Sequence, residues 1–259
     1  MSDFNFNIES IRALELQDDQ SDVRLATPER NFGSLSLARE INKLYEDIPY
    51  NNVVWQPDVY AEARTVADQF GIKRIVDVGC GNGEKLIHFF PSDQFQTTGL
   101  DFHGSLNLAS RTFPWATWVE CDLNSSRDLT LFFDKMGADE PVLLILSDVI
   151  EHLPDPRLLL AQLRTVLMRN SISRLVLSTP DRAMLDYKSY GTYPENQSHV
   201  REWTHNELAA FCKAAGFQVE HFGHTRANQF DEKYTTIYMQ LRCERSQYVK
   251  HTFPKWHAV

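Results

Sequence analysis

Val76-Asp77-Val78-Gly79-Cys80-Gly81-Asn82-Gly83 decides the fold. It closes a short β-branched apolar run over residues 74–79 and opens a helix expected over 84–90. Glycines at alternate positions let the backbone turn tightly and bring its amides against a ligand near a helix N-terminus, where an anion or carboxylate is favoured. A Gly-rich strand-to-helix turn without a ligand would look similar. Asp101 weighs against that plainer reading: it stands 24 positions beyond Asp77, at the end of the next expected strand. An acidic side chain there suits the two hydroxyls of a ribose.

Outward from this unit the same grammar repeats. Strands are expected over 97–100, ending at Asp101; over 117–120, ending at Asp122; over 142–146, ending at Ser147 and Asp148; and over 174–177, ending at Ser178. Upstream, Val59, Tyr60, Ala63, Val66, Ala67 and Phe70 mark one face of a helix over 57–70, with Pro57 in its first turn and Gly71 at its stop. Asp155 and Pro156 open another helix, and Thr204 with Glu207 forms a capping-box pattern before a helix that stops at Gly216. Residues 217–222 and 234–241 read as two closing strands. The expectation is an α/β fold: a Rossmann-like, seven-stranded, mostly parallel sheet with helices on both faces. The boundaries expected are an N-terminal helical extension or lid over 1–52, the domain over 53–245 and a tail over 246–259. Leu35, Leu37, Ile41, Leu44 and Tyr45 lie close to helical spacing in the extension.

Composition narrows the classes. In 259 residues, 26 Lys and Arg face 35 Asp and Glu, a net charge of −9, so no basic surface for nucleic acid is expected. Cys80, Cys121, Cys212 and Cys243 make no C-x-x-C pair and read as isolated thiols of a reducing compartment. The first twenty residues are acidic, without the basic start and apolar core of a signal peptide, and the apolar run 142–146 is too short to span a bilayer. A cytoplasmic protein is expected.

The glycine motif resembles that of the class I S-adenosylmethionine-dependent methyltransferases, D-x-G-x-G-x-G, here Asp77, Gly79, Gly81 and Gly83. A nicotinamide-binding loop needs G-x-G-x-x-G, and the last of those positions holds Glu84. The resemblance spans 53–241 and continues through Gly99-Leu100-Asp101-Phe102, Cys121-Asp122-Leu123 and Ser147-Asp148-Val149-Ile150-Glu151-His152-Leu153. It implies S-adenosyl-L-methionine as cofactor, leaving as S-adenosyl-L-homocysteine. It further implies that Asp101 binds the ribose, that Phe102 and Leu123 flank the adenine, and that Asp122 bonds its amino group. Backbone near Gly79 and Ser147 would hold the methionine end. Narrower likeness lies in Trp55-Gln56-Pro57-Asp58-Val59-Tyr60, Ser178-Thr179-Pro180-Asp181-Arg182, His199-Val200-Arg201-Glu202-Trp203-Thr204 and Thr225-Arg226-Ala227-Asn228. These are similar to a bacterial subgroup associated with glycan or natural-product biosynthesis.

Such a reaction is an in-line displacement at the sulfonium methyl, accelerated largely by positioning. A hydroxyl acceptor must also lose a proton, whereas an unprotonated amine needs less help. His152, just after the fourth strand, is a candidate base or a residue that caps its loop. His199 and Glu202 are further candidates, or local turn structure. Asp148 and Glu151 either orient the acceptor or a histidine, or, for Glu151, begin a helix in solvent. Alone they do not make a metal site, and none is expected. Arg201 and Arg226 either bind an acidic group of the substrate or pair within the fold. Tyr190 and Tyr193, on an irregular loop at the carboxyl edge of the sheet, can stack on a sugar or ring, and Trp55 can close over it. The acceptor expected is a small-molecule or glycan hydroxyl. The rival readings are a peptide or natural-product amine or carboxylate, an NAD-dependent oxidoreductase, and a protein that keeps the pocket without catalysis.

Overall fold

The computed structural model describes residues 32, 34, 36, 38, 39, 53–137, 140–185 and 193–243. Their order is α1 (Pro57–Phe70), β1 (Arg74–Val78), α2 (Glu84–Phe89), β2 (Gln96–Asp101), α3 (His103–Thr112), β3 (Thr117–Glu120), α4 (Ser126–Lys135) and β4 (Val142–Ser147), then a 3-10 turn (Ile150–His152), α5 (Pro156–Arg169), β5 (Arg174–Pro180), α6 (His205–Ala214), β6 (Gln218–Arg226) and β7 (Tyr234–Arg242).

Alternation along the strands sorts the apolar side chains into two cores, as a period of two requires. Val76, Val78, Leu144 and Leu146 join Leu129 and Phe133 of α4, Leu159 and Leu163 of α5, and Leu208 of α6 on one face. Ile75, Leu143 and Ile145 join Val59, Ala63 and Val66 of α1, with Leu86 of α2, on the other. The sheet order is β3-β2-β1-β4-β5-β7-β6, parallel from β3 to β5, with β7 antiparallel to both neighbours. The seven strands and two helical layers match the expected fold. Chain order reverses at the adjacent pair β1 and β4, which opens a crevice at their carboxyl ends.

The local signals act as read. Gly71 ends α1 at φ 65°, the Asp155 side chain accepts from the Arg157 amide, and Thr204 and Glu207 complete both bonds of the capping box. Strand lengths differ from expectation. β5 runs on through Ser178 and Thr179 because β4 and β7 pair with it on either side, so pairing continues after the apolar run has stopped. The expected extension is described only at Phe32, Ser34, Ser36, Ala38 and Arg39. The helical spacing of Leu35, Leu37, Ile41, Leu44 and Tyr45, and the tail 246–259, lie outside the described residues. Those few residues strap onto the domain: the Trp203 indole donates to the Phe32 carbonyl (3.2 Å), the hydroxyls of Ser34 and Ser36 donate to the Glu202 carbonyl, and the Arg39 amide donates to the Val200 carbonyl (2.7 Å).

Trp118 of β3 fills the space that two glycines leave. A Cβ at Gly99 would lie 2.5 Å from its ring and 2.7 Å from the Cys80 Sγ, and one at Gly83 would lie 2.1 Å from the same ring. Gly99→Ala is therefore expected to destabilise the fold by about 1–3 kcal/mol through overpacking, read as a lower urea midpoint at unchanged m-value.

Candidate active site

A cleft of about 1150 Å³ opens at the carboxyl ends of β1 and β4. Its near wall is the loop after β1. The Gly79 and Cys80 amides donate to the Leu100 carbonyl (2.8 and 3.0 Å), which draws the turn onto β2. Gly79 has φ 85°, and a Cβ there would stand 2.3 Å from a Val149 methyl. Asp101 clasps this loop, its carboxylate accepting from the Gly81 amide (2.7 Å) and the Phe102 amide (2.8 Å). Asp122 accepts from the Asn124 amide (2.9 Å), and the Ser147 hydroxyl accepts from that of Ser178 (3.0 Å). Gly79, Gly81, Asp101, Phe102, Asp122, Leu123 and Ser147 all line the cleft.

Two expected cofactor residues do not. Gly83 faces Trp118, so its lack of a side chain serves packing. Asp77 lies under the loop, fully buried, with one oxygen accepting from the Tyr60 hydroxyl (2.9 Å) and the other without a partner. Burial pushes its carboxyl up to about 7, against the pull of that bond and of Lys85.

Polar groups meet at the opposite wall. Asp148 holds a left-handed φ of 53° and Gln56 one of 54°, and the Gln56 amide donates to the Asp148 carboxylate. Two strained non-glycine residues bonded to each other mark a place the surrounding fold has fixed. Glu151 is fully buried on the 3-10 turn rather than solvated. One of its carboxylate oxygens accepts from Thr179 Oγ1 (3.0 Å), and its carbonyl accepts from the Val200 amide (2.7 Å). Burial, then the neighbouring Asp148, push its carboxyl well above the usual range. His152 Nδ1 donates to the Ser198 carbonyl (2.8 Å), and His199 Nδ1 donates to the Glu202 carboxylate (2.7 Å). The two rings meet edge to face, 4.9 Å between centroids.

His152 is held neutral: burial, then His199, push it down to about 3. So weak a base takes a proton poorly at neutral pH, which argues against the proton-taking role expected of it. Glu202 is buried away from the cleft and reaches it through His199. Arg201 corrects another expectation. Its guanidinium is buried on the Leu153 and Pro154 carbonyls (2.7 and 2.8 Å) and lies 4.8 Å from the Phe32 ring centroid, so it meets no substrate. Arg226 pairs with Asp58 (2.6 Å). Trp55 lines the cleft, and Tyr193 does not, lying instead under the Arg39 guanidinium. Tyr190 falls outside the described residues. The sequence reading missed Gln56, Lys85 and Asn196–Ser198, all cleft-lining. Only Gln56 left a signal, standing between Trp55 and the helix-opening Pro57.

The cleft's fit to S-adenosylmethionine rests on carboxylates at the ends of β2 and β3, the glycine-rich turn after the neighbouring β1, and ample room. The sheet order and this glycine turn define the class I methyltransferase architecture. The profile of the "Methyltransferase domain" family matches residues 33–222, and the chain belongs to that family; it is an S-adenosylmethionine-dependent methyltransferase. No curated protein matches it in sequence. Among solved structures it is similar to the methyltransferase domain of a bacterial Hen1, CtHen1-C (19% identity, 72% of this chain and 97% of that one, TM-score 0.51). It is also similar to the plantazolicin methyltransferase BamL in complex with a triazolic desmethylPZN analog and S-adenosylhomocysteine (12%, 72% and 84%, TM-score 0.53), and to the glycopeptide N-methyltransferase MtfA (16%, 72% and 91%, TM-score 0.51). At such identities the likeness is one of fold.

Asp77 makes a testable demand. In the unfolded chain it ionises near its ordinary 3.8, and in the fold it keeps its proton to about 7. A raised carboxyl costs stability as pH climbs between those values, because the unfolded state alone gives up the proton. Asp77→Asn should therefore gain on the wild type as pH rises from 4 to 7, by at most a few kcal/mol, in paired urea titrations.

Proposed function

We propose that the chain methylates a hydroxyl oxygen of a small-molecule or glycan acceptor, in the cytoplasm. The observation that carries the reading is the group of Glu151, His152 and His199 on the cleft wall, where one oxygen and two ring nitrogens lie within 4.8 Å of one another. An amine attacking as its free base needs no such group, whereas a hydroxyl must be stabilised as it loses its proton. The cofactor supplies an electrophilic methyl on a cationic sulfonium. Asp101 is proposed to hold the ribose hydroxyls, Asp122 the adenine amino group, and Phe102 and Leu123 the adenine faces. The loop from Gly79 to Gly81 and Ser147 would hold the methionine end. Asp148, fixed by Gln56 and Ser178, and Trp55 on the open side would orient the acceptor. His199 meets the acceptor oxygen, and Glu202 sets the tautomer of its ring.

The cytoplasmic setting is supported by Cys80, Cys121, Cys212 and Cys243, all buried free thiols, and no helix among the described residues is long and apolar enough to cross a membrane.

Three measurements test this. Asp101→Ala should abolish calorimetric binding of S-adenosylhomocysteine, and unchanged affinity would overturn the role given to Asp101. His199→Ala should lower kcat roughly 100-fold or more with little change in S-adenosylhomocysteine affinity. Mass spectrometry of the methylated product should place the new methyl on oxygen, and a methyl on nitrogen would replace this reading with an amine acceptor.

A further inference from the structure

The wall of the cleft carries more than a proton-handling group. We infer that Glu151, His152 and His199 form a binding site for a divalent transition-metal cation, with open coordination positions facing the cleft. The inference deepens the hydroxyl reading above, since a cation there would bind and polarise the acceptor oxygen.

The donor set comes first. One carboxylate oxygen and two imidazole nitrogens, mutually within 4.8 Å, are the ligand types that hold Zn²⁺, Mn²⁺, Co²⁺ or Fe²⁺ in sites that keep positions open.

Tautomers come second. Nδ1 of His152 gives its proton to the Ser198 carbonyl and Nδ1 of His199 gives its proton to Glu202, so in both rings the lone pair is on Nε2. Metal-binding histidines are oriented in this way, by a carbonyl or carboxylate on the other nitrogen. Each donor thus has its own outer partner: Ser198 for His152, Glu202 for His199 and Thr179 for Glu151.

Third, Glu151 itself points to a ligand. It has no exposed surface, and its second carboxylate oxygen is buried without a side-chain or backbone hydrogen-bond partner from any other described residue. A buried acceptor left unmade is costly, and coordination to a cation satisfies it. Charge agrees, because Asp148 and Glu202 both act on Glu151 as like charges. The Asn196 amide, which donates to His199 Nε2 at 3.0 Å, would yield that lone pair to the ion.

The test uses Co²⁺ as probe on the full chain, stripped of metal and loaded with S-adenosylhomocysteine. One equivalent should bind with visible ligand-field absorption, and proton NMR should show two paramagnetically shifted, solvent-exchangeable resonances from the Nδ1 protons of His152 and His199. Glu202→Gln should weaken binding roughly 10- to 100-fold, and Glu151→Gln and His199→Ala by more than that. His224→Ala, on the far side of β5, should leave it unchanged. The NMR signature needs no variant, so it decides even where a substitution unfolds the chain. Wild type that binds S-adenosylhomocysteine but no Co²⁺, or Co²⁺ binding without the shifted pair and indifferent to the Glu151 and His199 variants, overturns the site. Loss of S-adenosylhomocysteine binding instead would indict the cofactor reading, which the same samples report separately.

Discussion

The approach of Gly79 to Val149 is the contact on which both walls of the cleft depend. The loop after β1 and the loop after β4 leave adjacent, paired strands at the point where chain order reverses. Val149 fills the place of the missing Gly79 side chain, so the turn expected to carry the methionine end is registered against the segment bearing Asp148, Glu151 and His152. Methyl transfer depends on close placement of donor and acceptor, and this packing contact fixes the two cleft walls relative to each other. A Cβ at position 79 would meet both a left-handed backbone and a methyl group, so the glycine serves positioning as well as ligand approach.

Burial of negative charge is the second constraint. Asp77 and Glu151 are fully withdrawn from water and Asp148 is half-buried, and burial is in each case the largest cause that raises the carboxyl. Clusters of this kind are common at functional sites and expensive elsewhere. Asp77 resolves its burial internally, through Tyr60. Asp148 is partly met by Gln56, Ser178 and Lys85, while Glu151 is met by Thr179 and by its own backbone amide, with like charge from Asp148 and Glu202 beside it. Two of these three carboxyls, Asp148 and Glu151, line the cleft.

What was legible in the sequence was what depends on neighbours in the chain. The caps at Asp155 and Thr204, the stop at Gly71 and the strand-turn-helix at Gly79 act through bonds spanning a few residues, and all appear in place. That the turn after β1 and the acidic ends of β2 and β3 line one cleft was legible for the same reason, because they recur at strand ends. Fates that depend on distant segments were not. One of the two readings open for Glu151 is a solvated helix start, but the bond from the Val200 amide folds the 199–203 segment over it. Arg201 reads as a substrate cation, but the Phe32 ring and the Leu153 and Pro154 carbonyls enclose it.

That distant segment also explains why residues far upstream bear on the site. The Ser36 hydroxyl accepts from the Glu202 amide and donates to the Glu202 carbonyl, while Ser34 bonds the same carbonyl. Backbone position at Glu202 sets where its carboxylate meets His199 Nδ1, and that bond sets which nitrogen of His199 faces the cleft. The chain of cause runs from a two-serine strap, through a main-chain peptide, to the tautomer of one imidazole. Ser34 and Ser36 of the N-terminal extension therefore bear on the domain's chemistry, because the group they position is one the acceptor is proposed to meet.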